Sequence, residues 1–290
     1  MVKGVKHRNS ADLLAGIIVL IVALGLLVAA VVAIKQFVPQ SLQTGSQSTA
    51  ATTAAPPKPT MPTLVPNPLP ENDFTYTHNG YLTCLSAESW LGVDVSEHQG
   101  KINWDTVAQT DVEFAMVRMA YRGWGTEGVV RADARGMENL EGAEEAGLLV
   151  GVYFFSQAIT VEEAVEEARF LLQLLDGRKL DMPVVFDWET VSAENARTAN
   201  MNVVTLNACA QAFCREIEAA GYDAMVYFNL DMAKWKYDLL GLQEAGYDFW
   251  LALYSDRLSF RHKVQMWQYT SSGSVAGIQG KVDLNLYFPQ

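Results

Sequence analysis

Cysteine is scarce: Cys84, Cys209 and Cys214 are the only three in 290 residues. So few cannot build a disulfide scaffold. No C-x-x-C pair occurs, which removes the common zinc-ligand spacing. Cys209 and Cys214 fall in a helical-looking stretch and read as small buried apolar residues. A bridge from Cys84 to either stays open. Histidine is also short, with four residues, and only His98 falls near other polar candidates. No metal or cofactor is expected. Basic charge is lacking too: 21 Lys and Arg stand against 33 Asp and Glu, for a net charge of −12. Phosphate backbones need a positive stripe, so no nucleic-acid partner is expected. No G-x-G-x-x-G follows a strand-like run, which argues against a dinucleotide-binding open sheet. No internal repeat is evident.

What is present divides into three regions. Residues 13–34 read LLAGIIVLIVALGLLVAAVVAI without a charge. An apolar run of about 20 residues spans a bilayer, whereas the apolar part of a cleaved signal peptide is about 7–15 residues long. The reading is a single transmembrane helix. Lys3, Lys6 and Arg8 precede it and only Lys35 follows closely. The positive-inside rule then places residues 1–12 in the cytoplasm and the rest outside, on the cell-wall side of the cell membrane. Residues 35–72 are rich in Pro, Thr, Ser and Ala and read as a disordered, semi-rigid linker. Residues 73–89 form an N-terminal extension, and 90–290 carry the main fold.

In that third region strand-like runs alternate with helical patterns. LGVDVS (91–96), FAMVRMAY (114–121), LLVGVYFF (148–155), MPVVFDWE (182–189), DAMVYFN (223–229), DFWLALY (248–254), KVQMWQY (263–269) and KVDLNLYF (281–288) read as strands. Helices are expected around NWDTVAQT, from Ala132 to Gly147, after the capping residue Thr160 with Glu163 three residues on, and over 203–221. No helices are expected between the last strands. Apolar strands alternating with helices indicate an α/β architecture. About eight strands and fewer helices suggest an irregular TIM-like β/α barrel.

VVFDWET (184–190) runs from an apolar strand into two acids. Residues two apart on a strand share a face, so Val185, Asp187 and Glu189 face one way and Phe186 and Trp188 the other. In a barrel the acids would sit inside, at the C-terminal end where active sites gather. Two carboxyls in a desolvated pocket cannot both ionise cheaply, so one remains a proton donor near neutral pH. Such an acid suits glycoside hydrolysis. Asp94 on the first strand and Asp283 on the last would join them, since these strands are neighbours in a closed barrel.

With these residues in view, LGVDVSEHQGKINW, FAMVRMAYRGWGTEG, LLVGVYFFSQA, PVVFDWE, FWLALY and MWQYTSSGSVAGIQGKVDLNLYF resemble, in order, the motifs of the glycoside hydrolase family 25 lysozymes, the N-acetylmuramidases of Chalaropsis and phage-endolysin type. The resemblance covers roughly residues 90–288. It implies a β/α barrel that cuts peptidoglycan glycan strands between N-acetylmuramic acid and N-acetylglucosamine. It also implies Glu189 as general acid/base, with Asp187, Asp94 and Asp283 completing the acids. Asp187 has two readings: it holds the substrate's acetamido group while that group attacks, or it is the nucleophile itself. A wall-binding module without turnover is the reading from another class. Tyr153, Tyr227, Trp250, Tyr254 and Trp267 are candidates for packing against sugar faces. Arg118, a charge inside an apolar strand, reads as structural or as a partner of a barrel acid.

Overall fold

A computed structural model describes residues 62–289. The expected cytoplasmic segment, the transmembrane run and most of the linker lie outside these residues. Among the described residues, no helix is long and apolar enough to cross a membrane.

The strands are β1 (Phe74–Tyr76), β2 (Leu82–Cys84), β3 (Trp90–Val95), β4 (Phe114–Arg122), β5 (Val130–Ala132), β6 (Leu149–Ser156), β7 (Val184–Trp188), β8 (Ala224–Asn229), β9 (Asp248–Ala252), β10 (Met266–Gly273) and β11 (Val282–Tyr287). The helices are α1 (Trp104–Val107), α2 (Gly136–Glu145), α3 (Val161–Leu175), α4 (Val203–Ala219), α5 (Leu230–Trp235) and α6 (Leu239–Glu244). Eight strands close a barrel in the order β3-β4-β6-β7-β8-β9-β10-β11, and β11 returns to β3. Seven run parallel. β11 is antiparallel to both of its neighbours. β5 hangs on the end of β4, and β1 pairs with β2 in a separate hairpin.

The apolar strand positions divide by parity. Phe114, Met116, Tyr153, Val185, Met225, Tyr227, Trp250 and Met266 fill the barrel interior. Phe154, Phe186, Trp188, Phe228, Leu251 and Trp267 pack outward. Trp267 is therefore not a cleft residue. It lies one position out of phase with Met266 and Gln268, its indole Nε1–H donates to Leu253 O at 2.8 Å, and its ring meets Phe74 edge-on at 5.0 Å. The interior is tight enough to demand glycine: a Cβ on Gly92 would run into the Phe114 ring.

The helices begin and end for local reasons. Thr160 Oγ1 accepts the Glu163 N–H at 3.3 Å and starts α3. Glu163 does not complete a reciprocal box, because its carboxylate accepts the Ile159 N–H at 2.8 Å and pairs with Arg197 at 2.5 Å. After α3 the chain turns through Asp176 and Gly177 at positive φ (45° and 74°), a conformation that suits glycine. α2 starts at Gly136 rather than near Ala132, since Val130–Ala132 is strand β5. The segment between β8 and β9 holds α5 and α6, where no helices were expected. Both are only six residues long, and side chains cap them: Asn229 for α5 and Asp238 for α6. Such short helices leave little hydrophobic periodicity to read.

Among the described residues, no helix covers the outer face of β10 and β11. Residues before the barrel do so instead. Phe74 packs on Trp267 and Phe288, and the Leu82 N–H donates to Tyr269 OH at 3.4 Å. Part of the expected linker joins the folded unit as well. Val65 N–H donates to Gln243 Oε1 at 2.6 Å, Asn67 Nδ2 to Phe260 O at 3.1 Å, and Pro66 bridges to His262. All three cysteines are buried and free.

Because Trp267 is fully buried on the outer face, Trp267→Ala is expected to cost about 3–5 kcal/mol of stability. Urea unfolding measures this; a loss below about 1 kcal/mol would contradict the outward packing.

Candidate active site

The four acids meet at one mouth. Asp187 is the fourth residue of β7, and Glu189 follows the strand's last residue. Asp94 lies at the C-terminal end of β3. Asp283 lies near the start of β11, and because β11 runs antiparallel its start is at the same mouth. Asp283 and Asp94 are direct register partners.

Asp94 is the best-held of the four. Its Oδ2 accepts Nε2–H of Gln268 at 2.9 Å and Nδ2–H of Asn285 at 2.8 Å. Both amides are fixed from behind. Trp250 Nε1–H donates to Asn285 Oδ1 at 2.9 Å. Tyr254 OH and Tyr227 OH donate to Gln268 Oε1 at 3.1 and 3.3 Å. Each amide thus has its N–H end turned to Asp94 and its oxygen satisfied by an aromatic donor.

Burial is the first cause of every carboxyl shift here, because it disfavours the charged form. Glu189 is pushed up to about 7 by burial and then by the charge of Asp94. Asp283 is pushed up to about 8 by burial and by Asp94. Asp187 is raised well above its ordinary value by burial, then by Glu189 and Asp94, with Arg118 opposing. Asp94 is raised by burial and pulled back by the N–H groups of Asn285 and Gln268. Asp94 and Asp283 act on each other, and burial and the Asp94 charge raise Asp283. Asp187 Oδ1 is buried with no hydrogen-bond partner among the described residues.

Glu189 is set in place through its backbone. Gln157 Nε2–H donates to Glu189 O at 2.8 Å, Thr198 Oγ1–H donates to Gln157 Oε1 at 3.1 Å, and Arg197 Nη1–H donates to Gln157 O at 2.9 Å. Gln157 is fully buried. A cavity of about 550 Å³ lies at the end of β4, lined by Glu97, Arg118, Tyr121, Trp124, Arg131 and Phe155 among others.

The candidate aromatics separate by position. Tyr153, Tyr227 and Trp250 lie beneath the acids as a mutually packed floor, with Tyr227 and Trp250 at 5.1 Å and Tyr153 and Trp250 at 6.0 Å between ring centroids. Tyr254 stands on the rim, 58% exposed. Trp267 is outside. Arg118 pairs with Asp133 at 2.7 Å and with Glu97 at 3.5 Å. His98 is exposed on the turn Glu97–Gln99.

Gln268, Asn285 and Gln157 were not among the residues singled out in the sequence. Gln268 and Asn285 carried a signal: each is a polar residue at inward parity between two hydrophobic neighbours. Gln157 carried none, since it follows β6 and acts on a main-chain atom.

Comparison with known proteins places this architecture. An autolytic lysozyme of Clostridium acetobutylicum is 26% identical over 195 residues, covering 67% of this chain and 54% of its own length. The chain thus spans about half of that relative. Lysozyme M1 of Streptomyces globisporus is 26% identical over 207 residues, covering 68% of this chain and 67% of the relative. Among solved structures, a family 25 glycosyl hydrolase from Bacillus anthracis shares the fold with a TM-score of 0.58 at 21% identity, over 74% of this chain and 96% of that one. A bacterial lysozyme from Streptomyces coelicolor gives a TM-score of 0.56 at 24% identity, over 69% and 92%. Residues 93–278 match the profile of Glycosyl hydrolases family 25, and the chain belongs to that family.

Proposed function

We propose that the protein is a peptidoglycan hydrolase that cuts the β-1,4 bond between N-acetylmuramic acid and N-acetylglucosamine. The observation that carries this reading is Glu189, a carboxyl with its pKa raised to about 7 beside a second buried acid at a barrel mouth. A group that keeps its proton near neutrality can donate it to the leaving glycosidic oxygen and later take one from water.

Asp187 is assigned to the substrate's 2-acetamido group. Its Oδ1 is a buried acceptor without a partner among the described residues, suited to the amide N–H. Burial and two neighbouring acids make a free carboxylate costly there, which favours holding the acetamide while its oxygen attacks over direct attack by Asp187. Asp94, held by Gln268 and Asn285, fixes the local negative charge and keeps Glu189 protonated. The uncharged run 13–34 and the basic residues before it support anchoring in the cell membrane, with this domain on the wall side.

Zymography on peptidoglycan tests the assignment. Glu189→Gln should lower kcat by roughly 10²–10⁴-fold, the usual contribution of a general acid. Equal clearing by variant and wild type would remove Glu189 from the mechanism. Absence of clearing by the wild type would favour a wall-binding module. Reducing-end analysis of the products should find new muramic acid ends; new glucosamine ends would refute the bond assigned.

The pH profile follows from the same shifts. The donor must be protonated, so kcat/KM should fall as pH rises through about 7. Asp94→Asn removes the charge that helps raise Glu189, so the alkaline limb should move to lower pH. A limb that stays in place would show that Asp94 does not act on Glu189.

Stability should follow the same sign. Carboxyls raised in the folded state contribute stability below their ordinary values, and that stability is lost as pH rises through about 7 for Glu189 and about 8 for Asp283. Thermal melts should therefore drop between about pH 5 and about pH 8, and less so in Asp283→Asn. An identical drop in that variant would show that Asp283 is not protonated in the native state.

A further inference from the structure

We propose that the β1–β2 hairpin builds an additional sugar subsite on the rim of the mouth, where Tyr76, Tyr81 and Tyr254 take a pyranose of the glycan strand remote from the bond that is cut. This rests on the glycan-hydrolase reading above and extends it.

A cavity of about 640 Å³ lies between the hairpin and the ends of β9 and β10, lined by Tyr76, Asn79, Tyr81, Tyr254, Asp256 and Thr270 among others. That volume is within the range of small-molecule sites. Tyr254 links the cavity to the acid cluster: it lines the cavity, and its hydroxyl donates to Gln268, which in turn holds Asp94.

The lining selects the class of ligand. Tyr76 and Tyr254 are 57% and 58% exposed, so two large aromatic side chains lining one cavity are open to solvent. Hydroxyl and amide groups of Asn79, Ser255, Thr270 and Ser272 supply donors and acceptors. No Lys or Arg lines it, and Asp256 is its single charge. Rings with neutral polar groups suit a sugar, with an apolar face and hydroxyl edges, and offer nothing to an anion. The cavity at the end of β4 differs, since Arg118, Arg122 and Arg131 line it.

The hairpin holds the rings in position. Tyr81 OH donates to Ser274 O at 3.3 Å, and the Thr77 N–H donates to Tyr81 O at 2.8 Å. Residues 74–84 precede the stretch 93–278 that matches the family. The subsite thus joins residues of the extension to residues of the matched stretch, Tyr254 among them.

The test compares long uncrosslinked glycan strands with a glycan tetrasaccharide as substrates for the full chain. Tyr76→Ala should lower the ratio of kcat/KM on long strands to kcat/KM on the tetrasaccharide roughly three- to tenfold, the range for losing one aromatic contact. The change should appear in KM, and Tyr76→Phe, which keeps the ring, should restore the ratio. An unchanged ratio in Tyr76→Ala overturns the subsite while leaving the hydrolase reading intact. A wild type that turns over neither substrate removes that reading and this inference with it.

Discussion

The site depends on one buried carboxyl, Asp94, and on the two amides that hold it. Burial alone would neutralise it. Two amide N–H groups, from Gln268 and Asn285, counter that cost. The amides in turn cannot rotate, because Trp250, Tyr227 and Tyr254 donate to their oxygens. The aromatic floor therefore sets an electrostatic potential as well as a shape. Burial, and after it the Asp94 carboxyl beside them, raises both Glu189 and Asp283. Replacing either amide with an apolar residue would leave Asp94 under-solvated and move every proton in the cluster.

Barrel closure brings the acids together. In an all-parallel barrel the beginning of the last strand would point to the opposite end from Asp94. The antiparallel β11 reverses that relation, so a residue near its start faces the mouth and pairs with Asp94. The short connection from β10 to β11 makes this possible, since an antiparallel hairpin needs no crossover helix. Cluster and topology are thus one fact: without the reversed strand, Asp283 would lie at the barrel's far end.

How much of this was legible in the sequence depended on range. Strand parity separated Val185 and Asp187 from Phe186 and Trp188, because a period of two is local information. Thr160 as a cap was equally local. Trp267 was misjudged as a cleft residue because a motif does not state its phase against the barrel interior; Gln268 beside it holds the inward position. α5 and α6 escaped notice because six-residue helices are set by caps and tertiary packing rather than by periodicity. Gln157 was invisible because its partner is a main-chain oxygen that strand geometry brings near.

The missing helices have a structural consequence. A β/α barrel normally covers its outer apolar face with one helix per strand. β10 and β11 have none, yet Trp267, Leu284, Leu286 and Phe288 face outward and are buried. Leaving four such side chains in water would cost about 1.5–3 kcal/mol each. Phe74, Leu82 and Cys84 of the hairpin supply cover, and Leu64 and Leu69 of the preceding segment pack against the same outer core. The extension is therefore needed wherever this barrel is to be stable. Its cover lies beside the mouth, because the hairpin sits against β10 near Tyr269 and Ser274. The requirement to shield β10 and β11 thus carries Tyr76 and Tyr81 to the cavity that Tyr254 also lines.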